Sequence, residues 1–318
     1  MTVLITGAGL IGTHTARILL DQGVGVLLYD PNPSMRYIES VVGPDRKLFK
    51  VERGDVRDFP RLMDLALRVG VTRILHTAGL VGPGAEESPS QSFQVNVAGT
   101  LNLVELARIR SLARIALVSS SFVYFDPEAP PGEGPIHEDV PYRVPDSYYA
   151  TYKATAEMMT LAYHRLSGVN AIICRPCGVY GRGGFVGGAR IGHTLQDLLL
   201  RAIHEPGAPL TVDLPIAERV YVKDAVFALR EAIFVEKPTQ RVYNVGSGEV
   251  VTPQKLAATI NAAIPGARVT AGAGELSPAA RTIDSSAAER DLGYQVRYPL
   301  ERGIADYVEE LRSHGGFE

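Results

Sequence analysis

Tyr149 and Lys153 stand four residues apart in SYYATYKATAE (147–157), a stretch of good helix formers without Gly or Pro. One helical turn of separation puts both side chains on the same face. A phenol with an ordinary pKa of about 10 is a poor base at neutral pH, but a fixed ammonium beside it favours the phenolate. The pair can therefore exchange a proton with a hydroxyl or carbonyl oxygen. A surface helix can carry Tyr and Lys at this spacing without any chemistry, so the reading depends on what else the chain supplies.

The N-terminal segment supplies a phosphate-binding pattern. A short β-branched run is followed by Gly7, Gly9 and Gly12 in GxGxxG spacing and then by helical periodicity through Ile11, Thr15, Ile18 and Leu19. Glycines at such a turn let the backbone bend tightly and let a pyrophosphate approach the free N–H groups at the helix start. The next expected strand, 24–30, ends in Asp30 about 20 residues past the motif, where an acid can bind ribose hydroxyls. Pro31 rather than Arg follows Asp30, so a ribose phosphate would meet repulsion, with Arg36 as the cation that could reverse this. NAD is favoured over NADP.

These residues need a frame, and strand–helix alternation provides it. Strands are expected at 47–52, 73–77, 115–118 and 169–175, with helices at Phe59–Val69 and 90–110 between them. That alternation argues for a parallel sheet covered on both faces. His76 ends a strand, where a single histidine is more often a hydrogen-bonded core residue than a ligand. Asn96 stands among apolar residues in the 90–110 helix, and the sequence leaves both a solvent-facing and a site-facing position open. Ser119, Ser120 and Ser121 follow the 115–118 strand, at the edge where open α/β sheets place ligands. Residues 126–146 are rich in Pro, Gly and acids and suit a surface loop or lid. Beyond Arg175 the pattern loosens through a glycine-rich run. Helices resume near 193–204, 220–235 and 253–264 and twice after residue 287, with a strand at 241–245. No linker or repeat separates the parts.

The 318-residue chain is 46% apolar and 21% charged, as in ordinary globular proteins, and its formal net charge of -3 offers no electrostatic case for nucleic acid or an anionic membrane. No apolar run is long enough to span a bilayer, and the first residues lack the pattern of a secretion signal. A cytoplasmic location is expected. Cys174 and Cys177 form CRPC, but an apolar strand precedes them and two further zinc ligands are missing, so a structural role is favoured and no metal is expected.

Taken together, TGAGLIG, GDVRD, ILHTAG, NVAGTLNLVELA, LVSSSFVY, YATYK, RPCGVYG, YVKDA, VYNVGSG and the terminal LGY resemble, in order, the motifs of the extended short-chain dehydrogenase/reductases, the NAD-dependent epimerase/dehydratase family. The resemblance implies a Rossmann-type, doubly wound parallel sheet over residues 1–176, with 217–246 returning to it. A smaller α/β substrate lobe would comprise 177–216 and 247–318. It implies Tyr149 as general acid/base, Lys153 on the nicotinamide ribose, and a catalytic hydroxyl at Ser120, with Ser121 the alternative. Gly7, Gly9, Leu10, Ile11 and Gly12 would hold the pyrophosphate and Asp30 the adenosine ribose. Asp55 and Val56 would flank the adenine. Thr77, Ala78, Gly79, Asn96, Val118, Pro176 and Val179 would line the rest of the cofactor. Ser121, Phe122, Gly178, Arg219 and Arg281 would face a small-molecule substrate.

Departures from the family pattern narrow the chemistry. The glycine loop is one residue shorter than TGxxGxxG. Ser121 and Phe122 occupy the places where dehydratases carry Asp-Glu and decarboxylases a Glu, which argues against both reactions. Gly178 replaces a frequent Asn, and Ala217 stands where an Arg is common, with Arg219 nearby. The expectation is an NAD-dependent oxidoreductase acting on a secondary hydroxyl of a sugar or sugar nucleotide, leaning to an epimerase with a dehydrogenase or ketoreductase close behind. A non-catalytic NAD-binding regulator is the rival from another class. The resemblance also implies a homodimer built on the 90–110 and Tyr149 helices.

Overall fold

The computed structural model describes residues 1–44, 47–125, 134–142, 144–183, 190–275 and 280–315. Part of the expected 126–146 loop and residues 184–189 of the glycine-rich run thus lie outside the described residues. Strands β1 (Thr2–Thr6), β2 (Gly25–Asp30), β3 (Phe49–Arg53), β4 (Val71–His76), β5 (Arg114–Val118), β6 (Ala171–Pro176), β7 (Gly178–Tyr180), β8 (Pro209–Val212), β9 (Ala217–Tyr221), β10 (Val242–Val245), β11 (Val250–Val251) and β12 (Arg268–Ala271) form three sheets. The helices are α1 (Leu10–Asp21), α2 (Met35–Val42), α3 (Phe59–Val69), α4 (Pro83–Glu87), α5 (Pro89–Phe93), α6 (Gly99–Ile109), α7 (Tyr148–Ser167), α8 (Arg190–His204), α9 (Val222–Phe234), α10 (Pro253–Ala263), α11 (Ser286–Leu292) and α12 (Leu300–His314).

The main sheet is parallel throughout, in the order β10-β6-β5-β4-β1-β2-β3. Each strand alternates its apolar side chains between two cores. Val3, Ile5, Val26 and Leu28 pack with Ala116, Val118 and Ile172 under α1, α2, α9 and α11. Leu4, Leu27, Ile74 and Ile115 face the opposite layer, with Leu62 and Leu65 of α3 and Leu103, Val104 and Leu106 of α6. The strand order reverses between β1 and β4, which opens a crevice at the carboxyl ends of the strands. This is a Rossmann-type α/β sheet.

Residues after Pro176 build a second lobe without leaving the first behind. β7 pairs in parallel with β9 and β9 in antiparallel with β11, while β8 pairs with β12. Their core joins Leu198 and Leu199 of α8, Leu210, Ile260 of α10, and Ile304, Tyr307 and Leu311 of α12, and half-buried Leu10 and Ile11 of α1 pack against it. The chain then returns: α9 lies on α1 and β10 adds the edge strand beside β6.

The expected 90–110 helix is not continuous. A π-helical turn at Gln94–Ala98 separates α5 from α6. Such a turn inserts one residue into the helical ladder and is frequent at functional sites. Among the described residues no helix is long and apolar enough to cross a membrane.

Candidate active site

Helix α7 starts at Ser147, whose side chain accepts from the N–H of Ala150 at 3.2 Å, and stops at Gly168, whose φ of +70° suits the left-handed terminating position. Its buried face carries Ala150, Lys153, Ala154, Ala156, Glu157 and Thr160. The Lys153 ammonium is buried and donates to the Val118 carbonyl at the end of β5, 2.8 Å away. Burial pulls its pKa down to about 8, partly opposed by the Glu157 carboxylate one turn later.

Ser120 extends from the end of β5, and its oxygen accepts from the Phe122 N–H at 3.2 Å. The Ser120 hydroxyl stands beside the Tyr149 phenol, near enough to favour its phenolate. The structure thus brings Ser120 to the tyrosine, whereas buried Ser121 opens the short 3-10 turn that follows. The Tyr149 pKa corrects the expectation drawn from the Tyr–Lys spacing. Desolvation holds the phenol above its ordinary value, opposed by the neighbouring Ser120 hydroxyl, with no effective help from Lys153. The reason is geometric. The Lys153 nitrogen lies 5.8 Å from the Tyr149 ring centre and is committed to a backbone carbonyl.

The glycine turn lies across the sheet crevice. Gly7 has φ +91°, and a Cβ there would press on Thr77 and Ala78; a Cβ at Gly12 would overlap the Gly7 carbonyl. Gly9 faces open space instead, and no side chain caps the start of α1. Its first N–H groups are therefore available to an anion. Asp30 stands at the same mouth, with one carboxylate oxygen accepting from the Ala8 N–H and the other from the Asn32 N–H, both at 2.8 Å. A cleft of about 330 Å³ continues past it, lined by Pro31, Arg53, Gly54, Asp55, Asp58 and Arg61. Arg53 donates to the Pro31 carbonyl, so guanidinium charge stands closer to Asp30 than the sequence spacing suggested. Asp55 pairs with Arg57, whose hydrogen bonds hold its carboxyl below the usual range, and Val56 is buried against Gly99.

The loop after β4 completes this wall. Thr77 donates to the Thr6 carbonyl at 2.7 Å. His76 sits between the hydroxyls of Thr6 and Thr100, at 2.7 and 3.0 Å, and burial drives its pKa down to about 3. It is the neutral, hydrogen-bonded core residue that its strand-end position suggested. Asn96 is buried rather than solvent-facing, and its amide binds both the N–H and the C=O of Leu80, at 2.8 and 2.9 Å. The π turn aims it there.

On the substrate side, half-exposed Phe122 packs edge-on against Tyr149 and Phe125, with ring centres 6.5 and 5.5 Å apart. Gly178 pairs with Arg219, and a Cβ on Gly178 would lie 3.8 Å from an Arg219 terminal nitrogen. Arg219 is buried; it donates to the Pro215 carbonyl, but its Nε has no partner. Val179 packs in a cluster with Phe125, Ile136 and Cys177, while Pro176 pairs with Val245 at the sheet edge. Arg281 donates twice to the Gly134 carbonyl. Cys174 and Cys177 are buried free thiols.

One buried network escaped the sequence reading. Arg175 and Glu157 form an ion pair at 2.6 Å, and Tyr142 and Tyr124 both bind the Arg175 guanidinium. Tyr142 also donates to Glu157 at 2.6 Å, so part of the expected surface loop is fastened to the back of α7. Glu157 stands four residues after Lys153, and this helical spacing was its only signal.

Comparison with known proteins agrees with this geometry. The model of the NAD dependent epimerase/dehydratase family matches residues 3–246. UDP-glucuronate 4-epimerase of Thermodesulfobacterium geofontis is 31% identical over 188 residues, 57% of this chain and 57% of that one. dTDP-glucose 4,6-dehydratase of Streptomyces griseus is 27% identical over 330 residues, 98% of this chain and 94% of that one. The chain thus spans little more than half the length of the first relative and nearly all of the second. The structure of Thermus thermophilus UDP-glucose 4-epimerase in complex with NAD is similar at a TM-score of 0.78 and 25% identity, covering 98% of this chain and 99% of that one. NAD is the family's cofactor, and the open face at Gly9, the uncapped start of α1 and the fixed Asp30 carboxylate fit its pyrophosphate and ribose. With residues 3–246 matched by the family's model, the chain belongs to the NAD-dependent epimerase/dehydratase family.

Proposed function

We propose that the protein is an NAD-dependent epimerase acting on a secondary hydroxyl of a sugar nucleotide through a keto intermediate. The observation that carries this reading is the grouping of Ser120, Tyr149 and buried Lys153 at the carboxyl end of β5, with the Lys153 nitrogen 5.8 Å from the Tyr149 ring centre. Bound NAD would supply the hydride acceptor. Ser120 would hold the substrate oxygen while Tyr149 takes its proton, and the Lys153 ammonium would hold the nicotinamide ribose beside them. Gly7, Gly9 and Gly12 with the start of α1 would hold the pyrophosphate, and Asp30 the adenosine ribose. Thr77–Gly79, Val118, Pro176 and Val179 would line the remainder, with Asn96 bracing that wall through Leu80.

Epimerisation is favoured over dehydration because the dehydrating acids are replaced by Ser121 and Phe122. The second reading, a dehydrogenase or ketoreductase that releases its keto product, is supported by the same residues. A non-catalytic regulator is disfavoured by the intact Ser120, Tyr149 and Lys153. Absorbance of NADH, followed while purified protein and NAD meet a panel of sugars, sugar acids and UDP-sugars, separates the three. A stereochemically altered product without net NADH supports the epimerase. Stoichiometric NADH makes it a dehydrogenase, and NAD binding with silence across the panel favours the regulator.

Arg219 is the substrate contact with the strongest physical argument. A buried guanidinium without a carboxylate partner is costly, and an anionic group on the substrate would offset that cost. Arg219→Met is expected to raise KM for an anionic substrate about tenfold to a hundredfold, the worth of a charge-assisted hydrogen bond. The melting temperature of the ligand-free variant should not fall, because an unpaired charge has been removed. A several-degree drop in calorimetry would make Arg219 structural instead.

The same reading includes a homodimer in the cytoplasm. Exposed Phe93, Leu101, Tyr148 and Met158 on α5, α6 and α7 support the dimer face, and the free thiols suit a reducing compartment. Light scattering reads the stoichiometry, and fractionation of the native cell the location.

A further inference from the structure

One segment, Gly79 to Glu86, touches both members of the catalytic pair. At its start, Gly79 lies against the Lys153 ammonium: a Cβ there would be 3.6 Å from that nitrogen and 3.0 Å from the Asn96 amide oxygen. Asn96 then fixes the Leu80 peptide on both sides. The chain turns at Gly82, whose φ is +54°, and enters α4 with Ala85 fully buried as its anchor. At the far end, the Glu86 carboxylate spans the start of α7. One oxygen accepts from the Tyr148 N–H and the other from the Tyr149 N–H, both at 3.1 Å.

The first N–H groups of a helix have no partner within it. In α7 the Ser147 hydroxyl serves Ala150 and the Ser147 carbonyl serves Thr151. The two remaining donors, including that of Tyr149 itself, are held by Glu86 from another part of the chain. A carboxylate there also suits the positive end of the helix dipole. The first turn of α7 is thereby tied to the loop that would line the cofactor rather than left to solvent.

We infer that Glu86 is a positioning residue for the proton transfer, holding the Tyr149 backbone in register with the cofactor-lining loop. The inference rests on the reading of Tyr149 as the acid/base. Glu86 is exposed and its bonds are few, so little global stability depends on it. Misplacement of a reacting group lowers the rate without altering ligand affinity.

The test uses Glu86→Ala and Glu86→Gln in the full chain, with Tyr149→Phe alongside, on the best substrate of the panel. Glu86→Ala is expected to lower kcat about tenfold, with Glu86→Gln between it and the wild type because one amide oxygen can keep one of the two hydrogen bonds. KM, NAD affinity and melting temperature should stay within twofold or within a degree or so. Amide hydrogen exchange at Tyr148 and Tyr149 should quicken in both variants. An unchanged kcat in Glu86→Ala overturns the inference, as does a kcat loss matched by equal losses of NAD affinity and melting temperature. If Tyr149→Phe itself keeps wild-type activity, the acid/base reading fails and this inference falls with it.

Discussion

Tyr149→Phe should lower kcat by about 10²- to 10⁴-fold, the range over which positioned proton transfer acts. The substitution keeps the ring that packs against Phe122 and removes only the hydroxyl that meets Ser120. NAD affinity and melting temperature should therefore change little, and the loss should appear in kcat rather than KM. Fluorescence titration with NAD alongside steady-state kinetics provides the check. Near-wild-type turnover with an unaltered pH profile would move the proton transfer to another group. In the ligand-free protein the phenol titrates above its ordinary value because burial disfavours the phenolate. Wild-type activity should thus rise with pH through the neutral range, until Lys153 loses its proton above about pH 8.

Lys153→Met is expected to abolish turnover and stabilise the fold, two effects of opposite sign from one side chain. The ammonium titrates at about 8 in the folded protein against an ordinary 10.5, because burial outweighs Glu157. The folded state therefore releases this proton more readily than the unfolded one. Keeping Lys153 charged costs stability below pH 8, and the cost shrinks as pH rises from 8 towards 10.5. Its full size is about 3 kcal/mol, of which about 1 kcal/mol is offset in the variant by the orphaned Val118 carbonyl. Calorimetry should find the variant melting a few degrees higher at pH 7, with the gap closing by pH 10.5. A variant that melts lower at pH 7 would mean that the Val118 hydrogen bond outweighs burial.

The elements that position these residues were legible where burial imposes a period. β1, α3 and α7 stand out because β-branched runs and helical spacing both serve one core, and Ser147 and Gly168 mark the ends of α7 by their cap chemistry. The small strands β7, β9, β11 and β12 are two to five residues long, too short for alternation to show. The π turn at Gln94–Ala98 was hidden because one inserted residue shifts a helical pattern without erasing it, and this left the orientation of Asn96 open. Site chemistry was legible in residue type but not in environment. The Tyr–Lys spacing correctly placed both side chains on one helical face, whereas the direction of the Tyr149 shift depends on desolvation and on the Val118 carbonyl that takes up Lys153. Glu86 carried no signal, since an acid in a five-residue helix looks like any solvated surface charge.

The return of α9 and β10 to the first sheet also bears on how the molecule is made. Ala228, Leu229, Ala232 and Ile233 complete the cover that α1 and α2 begin over Val3, Ile5, Ala116 and Val118, so that face of the sheet is closed only after Phe234 has been synthesised. The edge of β6 waits longer, for Val245. A nascent chain emerging from the ribosome has therefore already exposed the whole of β7, α8 and β9 before its cofactor half can close. The two lobes are interleaved in time as well as in space, and the first cannot finish folding ahead of the second in the usual N-terminal-first order.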